Sequence, residues 1–327
     1  MMRRRALLFL VGLTAGALAS RVVRAGDHSQ RVVRLGLIGL ESSASNAPRG
    51  FGVLWQRLRD LGWVEGQNLV VESRWAGGRY DRLPALMADV IERNVDVIVT
   101  GGNAGATAAK NATRTIPIVG IGMGDPVRVG LVDSLARPGG NLTGMSMGYG
   151  QDFSGKWLEL LQEAVPRLST VAMIVNGAGD LAKKTEAIAS KLHLKVRIID
   201  VREPEALDGA FEQAEREAQA VLLMADPLTI EHRRKITLLA ARYRVPTIYT
   251  LLDFTDAGGL MAYAPDLTVM FRRAAEYVDK ILRGAKPADL PIEQPIQYVF
   301  VVNLKTAKDL GLTIPQSILL QANEVIR

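Results

Sequence analysis

The sequence predicts an α/β fold of two lobes, each a parallel sheet with helices on both faces, set across a cleft. Three observations predict it. Short apolar runs alternate with segments of helical period, and the alternation occurs twice in succession. Runs such as residues 95–99, with Val, Ile and Val in succession after Asp96, have the pattern of strands buried on both faces. The 327 residues, 48% hydrophobic and 23% charged, supply enough apolar material for two cores.

The first series opens with a strand over residues 32–40, where RLGLIGL is almost continuously apolar. Phe51, Leu54, Leu58 and Leu61 then recur at helical spacing. A second strand begins at Leu69, and Leu83, Leu86, Met87, Val90 and Ile91 mark the next helix. Residues 95–99 form the third strand, a small-residue helix covers 104–112, and 116–121 is the fourth strand. After Asn141 the alternation resumes. Helices are predicted over 157–165, 181–192, 204–218 and 228–243, and strands over 170–175, 196–199, 221–224 and 247–250. The C-terminal part departs from the pattern. A short strand at 260–262 leads to a helix around 271–282, and prolines at 287, 291 and 295 interrupt regular structure beyond it. A strand at 298–302 and a helix at 304–310 close the chain.

Residues 1–25 stand apart. MMRRR is a positive n-region, 6–19 an apolar h-region, and Val23-Arg24-Ala25 offers small residues before a cut, with Gly26 after it. This is the layout of a secretory signal peptide. The stretch is shorter than the ~20 apolar residues of a spanning helix. Ala17-Leu18-Ala19 also fits a cleavage site. Arg4-Arg5-Ala6-Leu7-Leu8 resembles a twin-arginine signal, so the general and twin-arginine routes both stay open. Arg3, Arg4, Arg5, Arg21 and Arg24 leave with the signal. Of 40 basic residues 35 remain, against 34 acidic ones, for a net of +1. Such a balance gives no charge support for a nucleic-acid partner. The absence of cysteine excludes disulfides and an N-terminal lipid anchor. His28, His193 and His232 share no metal-ligand spacing.

The motif GIGMGDPV, residues 120–127, raises the question of a phosphate cradle. A dinucleotide fingerprint requires G-x-G-x-x-G after the first strand and opening a helix. Here Gly120, Gly122 and Gly124 follow the fourth strand and Pro126 interrupts. No G-x-x-x-x-G-K-[ST] occurs. The plainer role is close approach of backbone to backbone, or to a ligand. Gly144-Met145-Ser146-Met147-Gly148 reads G-x-S-x-G, but a nucleophile elbow needs a helix after it, and Tyr149-Gly150 does not begin one.

Ligands of open α/β sheets sit beyond the carboxyl ends of the strands. The loops there nominate Ser42, Ser43, Gly101, Gly102, Asn103 and Asp125 from the first lobe. Tyr149, Asn176, Asp226, Tyr249 and Asp253 come from the interlobe segment and the second lobe. The helix near Asn103 presents N–H groups suited to a carboxylate. Asp226 or Asp253 suits an ammonium group. Each polar residue taken singly also fits a helix cap. Tyr149, Tyr249, Phe254 and Tyr263 are the aromatics near these loops, with ligand stacking and core packing both open.

Longer stretches carry a resemblance. They are LGWVEGQNLVVESRWAGGRYDRLPAL (61–86), GDPVRVGLVDSLARPGGNLTG (124–144), SGKWLELLQEAVP (154–166), VPTIYTLLDFTDAGGLMAYAPD (245–266), YVDKILRGAKPADLPIEQP (277–295) and VVNLKTAKDLGLTIP (301–315). In them the chain resembles the ABC transporter substrate-binding proteins of the tryptophan/tyrosine-type group. The resemblance implies a type I periplasmic binding fold, two Rossmann-like lobes that close on a ligand by hinge motion. It implies a signal peptide at 1–25, a first lobe of 31–146 plus 260–290 and a second of 147–259 plus 291–327. The chain crosses between lobes three times, with GGLMAYAPD returning to the first. The implied function is periplasmic capture of a small solute, an amino acid, for an inner-membrane permease with a separate ATPase. It implies neither a cofactor nor catalysis, and a monomer is the default for this fold. Two alternatives share the export signal: a ligand-binding partner of a receptor kinase, and a hydrolase using Ser146.

Overall fold

The structure, a computed structural model, describes residues 31–45, 47–148, 153–177 and 179–327; the expected signal peptide and Tyr149 lie outside the described residues. Val32–Arg327 forms one unit, built on two sheets. The first comprises β1 (Val33–Gly39), β2 (Leu69–Trp75), β3 (Val97–Gly101), β4 (Ile118–Met123) and β5 (Leu142–Ser146), connected through α1 (Phe51–Asp60), α2 (Leu83–Glu92) and α3 (Gly102–Ala112). Its order is β2-β1-β3-β4-β5, all parallel. The apolar strands bury both faces, as the helical crossovers require.

The second lobe repeats the plan. After α4 (Phe153–Ala164) come β6 (Thr170–Val175), α5 (Asp180–Lys191), β7 (Lys195–Asp200), α6 (Leu207–Glu217), β8 (Ala220–Leu223), α7 (Pro227–Glu231), α8 (Arg233–Arg242), β9 (Thr247–Tyr249), α9 (Asp253–Asp256) and β10 (Met261–Pro265). The chain continues with α10 (Leu267–Leu282), β11 (Tyr298–Asn303), α11 (Leu304–Asp309), α12 (Gln316–Gln321) and β12 (Glu324–Ile326). The sheet runs β12-β11-β10-β9-β8-β6-β7, so β7-β6-β8-β9-β10 has the same winding as the first sheet. β11, paired antiparallel with β10, reverses direction, and β12 runs parallel to it at the sheet edge.

Three expectations change. The helix predicted over 228–243 is two helices, α7 and α8, separated at His232. The strand in GGLMAYAPD does not return to the first lobe. β10 pairs with β9 and β11 inside the second sheet, and the crossing falls after Pro265. There Asp266 caps α10, its carboxylate accepting the Thr268 N–H at 2.8 Å, and α10 packs on α1, β3, β4 and β5. The last crossing begins after Glu293. This residue is bridged to Met145, its N–H donating to Gly144 O at 3.0 Å and its O accepting the Ser146 N–H at 2.9 Å. Its carboxylate pairs with Arg273. The segment to residue 293 thus lies along β5 in the first lobe, although 291–327 was expected wholly in the second.

Candidate functional site

The carboxyl ends of both sheets converge on a cavity of about 440 Å³. The first lobe supplies most of its wall. β1 contributes Leu37 to Gly39, followed by Leu40 and Glu41; β3 contributes Val99 to Gly101; β4 contributes Ile121 and Gly122. The second lobe contributes Ala225, Asp226, Pro227, Ile230 and Leu251.

The glycines of GIGMGDPV serve backbone packing. Gly120 lies opposite Gly144 in the β4–β5 ladder. A Cβ on Gly144 would stand 2.0 Å from Gly120 O, and its φ of +135° strains any L side chain. Gly122 lines the cavity at φ +65°, where a Cβ would meet the Met147 sulfur at 3.4 Å. The Gly124 N–H donates to Asn103 Oδ1 at 3.0 Å, which ties this loop to the start of α3.

That start is the cavity's polar floor. The N-cap of α3 is Gly101, in extended conformation, and no side chain caps it. Its first N–H groups therefore have no capping side chain as acceptor, and Gly101 to Ala104 line the cavity. A helix N-terminus carries roughly half a positive charge and suits an anion.

The apolar wall is an aromatic box. Phe51 meets Trp75 edge-on at 5.6 Å and Phe271 perpendicular at 5.9 Å; all three line the cavity, with Tyr80 at its mouth, 38% exposed. For Tyr249, Phe254 and Tyr263 the sequence left ligand stacking and packing within the protein both open, and they take the second course. Tyr249 is fully buried in the second core, stacked on Phe254 at 4.7 Å. Tyr263 packs with Phe153 and Tyr298. The missed signal lay in β2, whose beginning was predicted over 69–71. It runs to Trp75, whose position at a carboxyl end places it on the cleft. Phe51 heads α1 and faces the same side.

The charged lining groups are Glu41 and Asp226. Glu41 is 6% exposed. Burial pushes its pKa up to about 7, helped by the charges of Glu231 and Asp253, although its own and the Leu40 N–H groups favour the carboxylate. Asp226 caps α7. Its Oδ1 accepts the Thr229 N–H at 2.8 Å, and its own N–H donates to Thr229 Oγ1 at 2.8 Å. Oδ2 is buried without a hydrogen-bond partner. Burial raises the Asp226 pKa, while Thr229, Leu228 N–H and the nearby Asn176 amide act to lower it. Burial, together with the charges of Asp226 and Glu41, raises that of Tyr80.

Of the residues nominated from sequence, Gly101, Gly102, Asn103 and Asp226 line this cavity. Asn176 stands near Asp226 without lining it. Ser42 and Asp253 instead clasp the lobes together. The Ser42 N–H and hydroxyl donate to the two Glu231 oxygens at 2.8 and 2.7 Å. Asp253 Oδ1 accepts the Arg49 N–H at 2.6 Å, and the Arg49 guanidinium pairs with Asp256 at 2.7 Å. The Ser43 hydroxyl bonds that of Ser45. Asp125 is exposed and accepts the Arg128 N–H within its own loop. The Ser146 hydroxyl is buried, donating to Gly124 O and accepting the Gly148 N–H, both at 3.0 Å.

The family model for ABC transporter substrate binding protein matches residues 48–326. The chain belongs to that family, whose members bind a small molecule and work with ABC transporter permeases. It is a family of extracytoplasmic solute-binding proteins, not of enzymes. A tyrosine-binding protein of Clostridioides difficile (strain R20291) is 24% identical over 275 residues, 83% of this chain and 78% of that one. Two solved structures share the fold over 90% of this chain. A conserved domain protein of Vibrio cholerae has a TM-score of 0.83 at 22% identity, covered completely. A domain from Streptococcus pneumonia in complex with L-Trp has 0.79 at 20% identity, covered over 99%. The architecture is that of type I periplasmic binding proteins. Among the described residues no helix is long and apolar enough to cross a membrane.

Proposed function

We propose that this chain is exported and captures an amino acid with an aromatic or large apolar side chain, by hinged closure of its lobes, for delivery to an inner-membrane permease with its own ATPase. The observation that carries the reading is the composition of the cavity. An aromatic box stands beside an uncapped helix N-terminus and a carboxylate with one free oxygen. The box accommodates the side chain, α3 receives the carboxylate, and Asp226 faces the ammonium group. The L-Trp in the related structure and the tyrosine in the name of the related protein are in keeping with a site of this kind.

Thermal unfolding of residues 26–327 against amino acids, peptides, sugars and nucleotides tests the reading. A ligand at about 100 times its Kd adds roughly 2.7 kcal/mol, a rise of several degrees in Tm. A selective rise with Trp, Tyr or Phe is expected. A rise with sugars or nucleotides alone overturns the reading.

A further inference from the structure

Glu41 and Asp226 come from opposite lobes, from the turns after β1 and β8, and line the same cavity. Among the described residues no Lys, Arg or His lines it with them. Closure therefore brings two carboxylates into one enclosed, largely apolar space. Glu41 is 6% exposed and faces other acids rather than a base, and Asp226 Oδ2 has no partner. At the clasp, Glu231 on α7 and Asp253 on α9 both act on Glu41, with the Arg233 charge beside Asp253. Uncompensated charge in such a place is costly, whereas a cation there removes the cost and is held strongly.

We propose that Glu41 and Asp226 form a counter-charge divided between the lobes, and that the ligand's ammonium group, rather than its carboxylate, decides recognition. The inference rests on the function proposed above and narrows its ligand class to primary amines with an aromatic or large apolar body, carboxylated or not. Relative magnitudes support the order. The start of α3 offers an anion roughly half a charge, while the two carboxylates offer a cation up to two. Trp75 and Phe51 line the same wall, and aromatic rings attract a cation placed over them. Because the carboxylates sit on different lobes, a cation between them draws the lobes together, and an uncharged analogue does not.

Isothermal titration with L-tryptophan, tryptamine and indole-3-propionate separates the terms. The first carries both charges, the second only the amine and the third only the acid. The wild-type protein is expected to bind tryptamine within tenfold of tryptophan and to bind indole-3-propionate at least a hundredfold more weakly. Glu41→Gln is expected to weaken both amines tenfold or more. A readout on unmodified protein guards against a folding defect in the variant. Amine binding at pH 7 should release protons, and affinity should rise from pH 6 to pH 8 as Glu41 ionises, facing Glu231, Asp253, Asp226 and Tyr80. Tryptophan binding without tryptamine binding overturns the inference and leaves the amino-acid reading standing, as does pH-independent affinity with no proton release. Failure of all three compounds, together with no rise in Tm from Tyr or Phe, overturns both.

Discussion

The turn from β3 into α3 and the turn from β8 into α7 occupy equivalent places in the two lobes, yet they treat their backbone groups in opposite ways. In the first lobe the cap position is Gly101, and the leading N–H groups of α3 open onto the cavity. In the second, Asp226 and Thr229 close a reciprocal capping box on α7. That box uses one carboxylate oxygen and leaves the other over. The next strand pair differs too. Gly120 faces Gly144 between β4 and β5, while Ile248 faces Met261 between β9 and β10. The first lobe has given up side chains at the cleft to bring backbone close, and the second keeps its core filled to the end of the sheet. One winding thus yields a receptive lobe and a self-satisfied one.

The largest effect is expected from refilling the glycine pair. Gly144→Ala sets a methyl group into Gly120 O at a φ that L residues avoid, and should cost several kcal/mol. Chemical denaturation would show it, and a loss below about 1 kcal/mol would mean that β4 and β5 shift apart freely. Glu41→Gln comes next. Its folded pKa of about 7 against an ordinary 4.5 means that the folded state binds the proton more tightly. Stability is then present in full below about pH 4.5 and falls as pH rises to 7, by about 3 kcal/mol. The variant should unfold at a higher temperature than the ligand-free wild type at pH 8 and at the same temperature at pH 4.

Exchanging the caps tests the comparison more directly. Gly101→Asp gives α3 the cap that α7 has. It should leave stability equal or raised by about 1 kcal/mol while weakening amino-acid binding tenfold or more by calorimetry. Asp226→Ala should lose about 1 kcal/mol of stability and weaken binding by a similar factor. The smallest effect belongs to the exposed end of the clasp. Ser42→Ala removes one of two hydrogen bonds to Glu231 and should cost at most about 1 kcal/mol. Small-angle scattering should show a modest shift toward a more open form, whereas Asp253→Ala, which strips the part-buried Arg49 N–H of its acceptor, should open the lobes further.

Much of this was legible in the linear pattern. Apolar runs at 95–99, 170–175 and 221–224 are strands because neighbouring crossovers bury both of their faces. The rule that ligands gather beyond strand carboxyl ends found Gly101, Gly102, Asn103 and Asp226. It also nominated Tyr249 and Asp125, because a position near a strand end does not tell which way a side chain turns. Tyr249 turned into the core and Asp125 back onto its own loop.

By itself, then, the sequence determined the alternating elements, the two-sheet fold, the glycines at β4 and the reach of the family resemblance. The first three rest on short-range periodicity and on residue size, which need no partner to be read, and the resemblance rests on the quoted stretches. Only the tertiary structure decided that Phe51, Trp75 and Phe271, far apart in the chain, form one box. It also decided that β10 stays in the second sheet and that Glu41 and Asp226 face one cavity from two lobes. Those outcomes depend on where crossings fall and how lobes meet, which arise from long-range packing and leave no local period in the chain.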